Sequence, residues 1–521
     1  MPELKPWPRA VRIARRSVTH LSALRSVRPG QLRTWQVTTG AAVVGLAVAA
    51  GSIAVAGPWD SSGQRTAERD WAAEREAEGG TDHGDGGGGT GLTGGTGRTG
   101  TGVPKAAPSA PSVLTALGAP TGGAPVPTGR ALGDVLEPLL GGSLPAGTRR
   151  SAAVVDAVTG ERLWGRDEGA ALTPASTIKL ATAAAALSAA GADHRITTRT
   201  VAEPDAKEVV LVGGGDPTLT ARADAAGNAS LRTLADETAS ALKSRGTTEV
   251  TVAYDTSLYA GPPTHPIGPN ENIAPVSALM VDEGRLDDSS SGTAPRSTDP
   301  AGDAARKFAE LLRDRGVRTK GEPVGAKASG RAEELGAVRS APLSALVERM
   351  LTNSDNDIAE ALARQTAVAV GEPASFEGGG KAVHRALDKL ELPLGGARFA
   401  DGSGLDRADR LTADLLTSLL SRAADPARPE LRPVLTGLPV AGFTGTLRNR
   451  YADGPDAPGT GVVRAKTGTL TGVHTLAGTV VDADGRLLTF TFMSDGPSAD
   501  PTTTQSTLDH LATTLANCGC R

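Results

Sequence analysis

Between residues 58 and 130 the chain has almost nothing from which to build a core, and this confines any globular fold to the residues after 130. The stretch opens on a charged run from Arg65 to Glu78 that suits one short helix. It then becomes the Gly/Thr tract Gly79–Gly102 and a Pro/Ala/Gly run to about residue 129. Such segments cannot bury enough apolar surface to offset the entropy of ordering them, and they behave as flexible coil. Residues 58–130 therefore read as a disordered tether. Ahead of it, residues 1–36 carry Lys5, Arg9, Arg12, Arg15, Arg16, Arg25, Arg28 and Arg33 against the single acid Glu3. Val37–Ala56 then runs about 20 residues without a charge, long enough to cross a bilayer as a helix. The basic leader belongs on the cytoplasmic side, which sends everything after residue 57 outside. Ala54-Val55-Ala56 also resembles a signal-peptidase site, so the expectation is a single-pass cell-membrane anchor over 37–57, or secretion if the chain is cleaved after Ala56.

Order is expected from about residue 131. Leu132–Leu140 has helical apolar spacing, and Ala152–Asp156 with Arg162–Gly165 reads as a hairpin around Thr159-Gly160. A helix is expected from Thr173 as N-cap, with Pro174 at its first position and a small apolar run over Leu180–Leu187. Near the other end lie strands Val462–Lys466, His474–Val481 and Arg486–Met493, the last two joined at Asp484-Gly485, and a closing helix over Thr503–Ala516. Two strands at the front and three at the back suggest one antiparallel sheet closed by the two ends, formed by 131–190 and 336–521. The region between, 191–335, has its own strands (Glu208–Val212, Glu249–Tyr254) and helices, and reads as an inserted domain. Aromatics are 3% of the residues, so the core must rest on Ala, Val and Leu. A net charge of -4 gives no reason to expect a nucleic-acid partner. The two cysteines, Cys518 and Cys520, make neither a disulfide framework nor a complete zinc site, and the plain expectation for them is an exposed C-terminal pair without a catalytic part.

Three short patterns carry chemistry. Ser176 and Lys179 stand at i and i+3, which puts an amine within reach of a hydroxyl on one helix face. Serine needs a base to be a nucleophile, and a lysine serves if burial or neighbouring charge lowers its pKa. The spacing alone decides little, because Ser240-Ala241-Leu242-Lys243 repeats it late in a polar helix, Leu231–Ser244. Ser176 is preferred because it opens a helix ahead of a buried-looking alanine run. Ser354-Asp355-Asn356 precedes the amphipathic Ile358–Val368, and by itself reads as a capping box. Lys466-Thr467-Gly468-Thr469 closes a strand, and Arg98-Thr99-Gly100 in the tether shows how easily that tripeptide arises. Their order, and their placement on helix, loop and strand, is what raises them together to an active-site serine. Ser354 can relay a proton, Asn356 can hold a carbonyl, and an edge strand ending in Lys466 to Thr469 can pair with an extended peptide whose terminal carboxylate suits Lys466, Thr467 and Thr469. On this reading Gly468 removes a side chain where that peptide must pass.

These motifs resemble those of the penicillin-binding proteins and serine β-lactamases. Leu211–Leu219 (Leu-Val-Gly-Gly-Gly-Asp-Pro-Thr-Leu), Pro275–Leu279 with Asp282-Glu283, and Asp401–Leu405 (Asp-Gly-Ser-Gly-Leu) are similar to segments of the D-alanyl-D-alanine carboxypeptidase/endopeptidases, the class C low-molecular-mass penicillin-binding proteins. The resemblance covers about 131–521. It implies an α+β fold of the serine β-lactamase/DD-peptidase type, with a five-stranded antiparallel sheet, helices on both faces and an inserted smaller α/β-containing domain. It also implies Ser176, Lys179, Ser354 and Lys466 as catalytic residues, with Asn356, Thr467, Gly468 and Thr469 binding substrate. The expected partners are a peptidoglycan stem peptide and β-lactams as covalent inhibitors, and the tether would then cross a cell-wall space. No cofactor or metal is expected. Two departures stand out: the interval from Ser176 to Ser354 is shorter than in the largest members, and Asp406 stands where the family usually has serine. One rival is a class A-like β-lactamase, which needs a deacylating glutamate, and Glu391-Leu392-Pro393-Leu394-Gly395 comes closest to its motif. The other is a catalytically idle wall-binding homologue. The histidines, among them His265 and His474, read as ordinary polar residues.

Overall fold

A computed structural model of the protein describes residues 124–142, 147–204, 206–452, 454–496 and 501–521. The expected anchor at Val37–Ala56 and nearly all of the tether lie outside the described residues. Among those described, no helix is long and apolar enough to cross a membrane. Helix α1 (Gly129–Gly142) buries Leu132, Leu136 and Leu140, spaced one turn apart. Strands β1 (Arg149–Asp156) and β2 (Arg162–Arg166) form the expected hairpin. Its turn is held by the Asp156 carboxylate, which accepts from the N–H groups of Val158 and Thr159. Helix α2 (Ile178–Ala190) comes next, with every side chain from Ile178 to Leu187 buried.

A second sheet then begins. Its strands are β3 (Thr197–Ala202), β4 (Glu208–Val212), β5 (Glu249–Asp255), β6 (Arg318–Gly325) and β7 (Glu333–Arg339), in the order β6-β5-β4-β3-β7. β4, β5 and β6 run parallel, and β3 is antiparallel to both its neighbours. The parallel pairs need crossovers, supplied by helices α3 (Leu231–Ser244) and α4 (Pro300–Asp314). Ser230 caps α3 by accepting from Thr233 N, and Asp299 caps α4 by accepting from Gly302 N, with Pro300 at the first helical position. Both helices lay an apolar stripe on one face of the sheet, where Leu234, Leu242, Phe308 and Leu312 are buried together. The sequence pattern marks β4 and β5 but misses β3 and the two outer strands. β6 reads Arg-Thr-Lys-Gly-Glu-Pro-Val-Gly and is mostly exposed, so no alternation betrays it.

The chain returns through α5 (Leu343–Asn353), α6 (Asn356–Val370), α7 (Phe376–Lys389), α8 (Ala413–Ala424) and a single turn, α9 (Pro433–Thr436). It closes with β8 (Arg464–Leu470), β9 (Val473–Val481), β10 (Leu487–Asp495) and helix α10 (Pro501–Asn517). The first sheet has the order β2-β1-β10-β9-β8 and is antiparallel throughout, as expected. Its pleat sends alternate side chains to opposite faces. Ala153, Ala477 and Met493 face the cluster built on α2, α5, α6 and α8. Ala152, Val154, Leu476, Phe490 and Phe492 face the other, completed by α1 and α10. The helix that lies on this first face is α8, packed against β1, β10 and β9. Helix α2 itself packs among α5, α6, α7 and α8, and the short turn ahead of it, Ala175–Thr177, is what reaches β8 and β9.

Candidate active site

Ser176 stands in a tight turn rather than in the first turn of an α-helix. A 3₁₀ turn, Ala175–Thr177, precedes α2, and Thr173 does not cap it. The expectation of a Thr173 cap fails because Asp495, at the end of β10, accepts from both the N–H and the hydroxyl of Thr173, at 3.2 and 3.0 Å. Ala175 is held at φ 46°, a region that L-residues rarely adopt. Neighbours over-determine this strained turn. Thr177 and Thr475 hydroxyls both donate to the Pro174 carbonyl, at 2.7 and 2.8 Å. Gly404, itself at φ 84°, lies so near that a methyl there would overlap the Ala175 carbonyl and stand 2.9 Å from Ile178 Cγ2. The result is a partly exposed Ser176 on a rigid corner.

Lys179 is fully buried one turn later. Its Nζ lies 2.9 Å from Ser176 Oγ, and donates to Asn356 Oδ1 at 2.7 Å and to the Ser403 carbonyl at 2.6 Å. Burial lowers its pKa to about 8, against the attraction of Asp401, Asp355, Glu360 and Asp409. Two of these acids also fix the Ser403 carbonyl. Asp401 accepts from the N–H groups of Ser403, Gly404 and Asp406, and Glu360 from those of Gly402 and Ser403. The Asp401–Leu405 stretch is thus a carboxylate-wired loop that holds the base.

At Ser354-Asp355-Asn356 the capping reading holds, and the two flanking residues reach the other motifs. Asp355 caps α6 by accepting from Ile358 N at 2.9 Å. Ser354, at φ 58°, ends α5 in the left-handed region and so turns its hydroxyl toward the third motif. Lys466 Nζ donates to Ser354 Oγ at 2.9 Å and to the Thr467 carbonyl at 2.8 Å. Burial, then the charges of Lys179 and Arg450, holds the Lys466 pKa far below that of a free lysine. Thr467 shares a 2.9 Å hydroxyl contact with Thr446, while Thr469 is exposed on the edge strand. Gly468 corrects the sequence reading: its bare side faces inward, not toward a passing peptide. A methyl there would overlap Thr475 Oγ1 and stand 2.7 Å from the Pro174 carbonyl and 3.1 Å from Ser176 N. Glycine is needed so that β8 can lie against the Ser176 turn. Ser176, Ser354, Asn356 and Thr469 line one cavity of about 200 Å³.

Comparison with known proteins places the chain in a family. The model of the D-Ala-D-Ala carboxypeptidase 3 (S13) family matches residues 142–295 and 287–517. A carboxypeptidase of Mycobacterium tuberculosis is 39% identical over 382 residues, 70% of this chain and 80% of the relative. The chain belongs to the S13 family. Carboxypeptidase DacB of Mycolicibacterium smegmatis is 38% identical over 411 residues, 76% of this chain and 86% of the relative. The crystal structure of penicillin-binding protein 4 from Haemophilus influenzae has the same fold, with a TM-score of 0.62 at 22% identity over 74% of this chain and 100% of that one.

Sequence reasoning missed part of what surrounds this S13 site. The second-sheet region sends Asn272, Arg285 and Arg296 to the cavity wall, and Asn356 Nδ2 donates to the Asn272 carbonyl at 3.0 Å. Nothing local in the sequence marks these residues; only the fold brings them in. The Leu211–Leu219 segment ties the same region to α6, since Gln365 Nε2 donates to the Gly214 carbonyl at 2.8 Å. His265 is not an ordinary polar residue: its ring is buried 2.9 Å from Asp401. Burial works against charge on that ring, yet Asp401 raises its pKa above normal. Asp401 would rise on burial, but the His265 hydrogen bond and charge bring it down to about 2. Asp406 turns its carboxylate to Ala408 N at 2.8 Å and serves the turn. Glu391 is exposed, 3.6 Å from Arg422, and lines a different cavity, so it is not placed as a deacylating base. Ser240 is exposed on α3 and away from the site cavity. Cys518 and Cys520 are buried against the second core cluster, contrary to the exposed pair expected.

Proposed function

We propose that this protein is a serine-type D-Ala-D-Ala carboxypeptidase that cleaves peptidoglycan stem peptides through an acyl-enzyme on Ser176. The observation that carries the reading is Lys179 Nζ, fully buried, 2.9 Å from Ser176 Oγ, with a pKa brought down to about 8. Lys179 takes the Ser176 proton as the hydroxyl attacks the carbonyl between the last two D-alanines. Ser354 passes a proton to the departing D-alanine amine and takes one in turn from Lys466, whose Nζ donates to its Oγ. The first N–H groups of a helical turn have no partner within it, and Ser176 N with Thr469 N forms the oxyanion hole, worth about 3 kcal/mol per donor. An amide nitrogen has two protons, so Asn356 Nδ2, with one given to Asn272, keeps the other for a substrate carbonyl. The peptide lies along β8, and its carboxylate meets Thr467, Thr469 and Lys466. Water then releases the acyl group, and a β-lactam acylates Ser176 by the same path.

The family and the relatives named carboxypeptidase support the reaction, and Val37–Ala56 supports a membrane tether with the catalytic part outside. Digestion of muropeptides with mass analysis of the products tests it. Release of D-alanine, lost in Ser176→Ala, is expected; products identical for both proteins would refute the assignment. The same digest of cross-linked dimers separates carboxypeptidase from endopeptidase action.

A further inference from the structure

Asp357, the second residue of α6, is almost completely buried. Its Oδ1 accepts from Ala274 N at 2.9 Å, and its Oδ2 lies 2.9 Å from Arg296 Nη1. Arg296 also donates to the Glu283 carbonyl at 2.6 Å and the Glu271 carbonyl at 3.4 Å. This one pair therefore gathers both ends of a segment that runs beside the catalytic cavity. Between those anchors sits Asn272, whose carbonyl accepts from Asn356 Nδ2 at 3.0 Å. That bond decides which way the Asn356 amide faces. With Nδ2 on Asn272, Oδ1 is turned to Lys179, at 2.7 Å. The reverse orientation would set an NH₂ group against the lysine amine and a carbonyl against the Asn272 carbonyl, losing both bonds.

We propose that Asp357 and Arg296 are positioning residues for acylation: their buried pair clamps the segment Glu271–Ala274 onto α6, and the Asn272 carbonyl in that segment sets the Asn356 amide that meets Lys179. The inference rests on the assignment of Ser176, Lys179 and Asn356 above. An ordinary stabilising ion pair would have no reason to span the residue next to Asn356 and the residues flanking Asn272. The surrounding charge is balanced, which makes the pair testable. Glu283, Asp355 and Asp357 lie together, faced by Arg296, by Arg285 at 2.8 Å from Glu283, and by Arg349, which also pairs with Glu283. Neutralising Asp357 thus leaves Arg296 with acids still near it.

The test measures the rate of acylation by a fluorescent penicillin, with Tm, for the full chain carrying Asp357→Asn or Arg296→Gln, each alone and combined with Asn356→Ala. Misplacement of a positioning group by about 1 Å can cost about 100-fold, so each single change is expected to slow acylation about 10- to 100-fold. Because the path runs through Asn356, the same change on the Asn356→Ala background is expected to cost no more than about 2-fold. An equal loss on both backgrounds, or unchanged acylation in Asp357→Asn, would overturn the proposal. If either single change prevents folding, Asp357→Asn with Arg296→Gln, which removes both charges, is read against the same two outcomes. A wild-type protein that takes no penicillin would instead refute the assignment on which the inference rests.

Discussion

Replacing Lys179 with arginine separates two things a cation beside Ser176 can do. Lysine can lose a proton and act as base, whereas a guanidinium stays charged and can only attract. Burial brings Lys179 from 10.5 down to about 8. Near neutral pH a base with that pKa is unprotonated about 10% of the time, against about 0.03% for a free lysine, a gain of about 300-fold in reactive population. The acylation rate should therefore climb about tenfold per pH unit below neutrality and level off above about pH 8, since the neutral form is the working one. Lys179→Arg should lose at least that 300-fold and show no rising limb over the same range. The assay is stopped-flow acylation by a fluorescent penicillin at a series of pH values, with circular dichroism to verify folding. A rate flat from about pH 6 to 9 in the wild type, or a Lys179→Arg protein within tenfold of it, would refute the role of Lys179 as base.

Other perturbations test other parts. Gly468→Ala should cost about 1–3 kcal/mol by overpacking against Thr475 and Pro174, and should slow acylation by pushing on the Ser176 turn; thermal melts and the same kinetic assay measure both. Asp401→Ala leaves His265 buried without its partner and frees the N–H groups of Ser403, Gly404 and Asp406, so a loss of about 3–5 kcal/mol in denaturant unfolding is expected. Changing Cys518 and Cys520 to serine puts two hydroxyls into the second core cluster, and should lower stability by about 1–3 kcal/mol without altering penicillin acylation.

The parts of the site legible in the sequence are those whose chemistry is local. Ser176 and Lys179 share a face because of their spacing, and Ser354 and Lys466 are recognisable by order and element, so the antiparallel sheet and the motif residues could be placed beforehand. What escaped depends on contacts between distant residues. Thr173 has the composition of an N-cap, but Asp495 binds its hydroxyl first. Gly468 sits on a strand whose two sides differ only once the Ser176 turn is packed beneath one of them. Glu391 lies at a plausible distance along the chain and nowhere near the cavity in space. Asn272, Arg296 and Asp357 have no shared local pattern, and only the docking of the second-sheet region on α6 makes them neighbours.

The most direct test of Ser176 as the nucleophile is mass spectrometry of the protein after brief exposure to a penicillin, with peptide mapping of the adduct. One adduct per chain is expected, on the peptide that carries Ser176, and none on Ser176→Ala. An adduct mapped to Ser240 or elsewhere, or the absence of one on well-folded protein, would contradict that assignment.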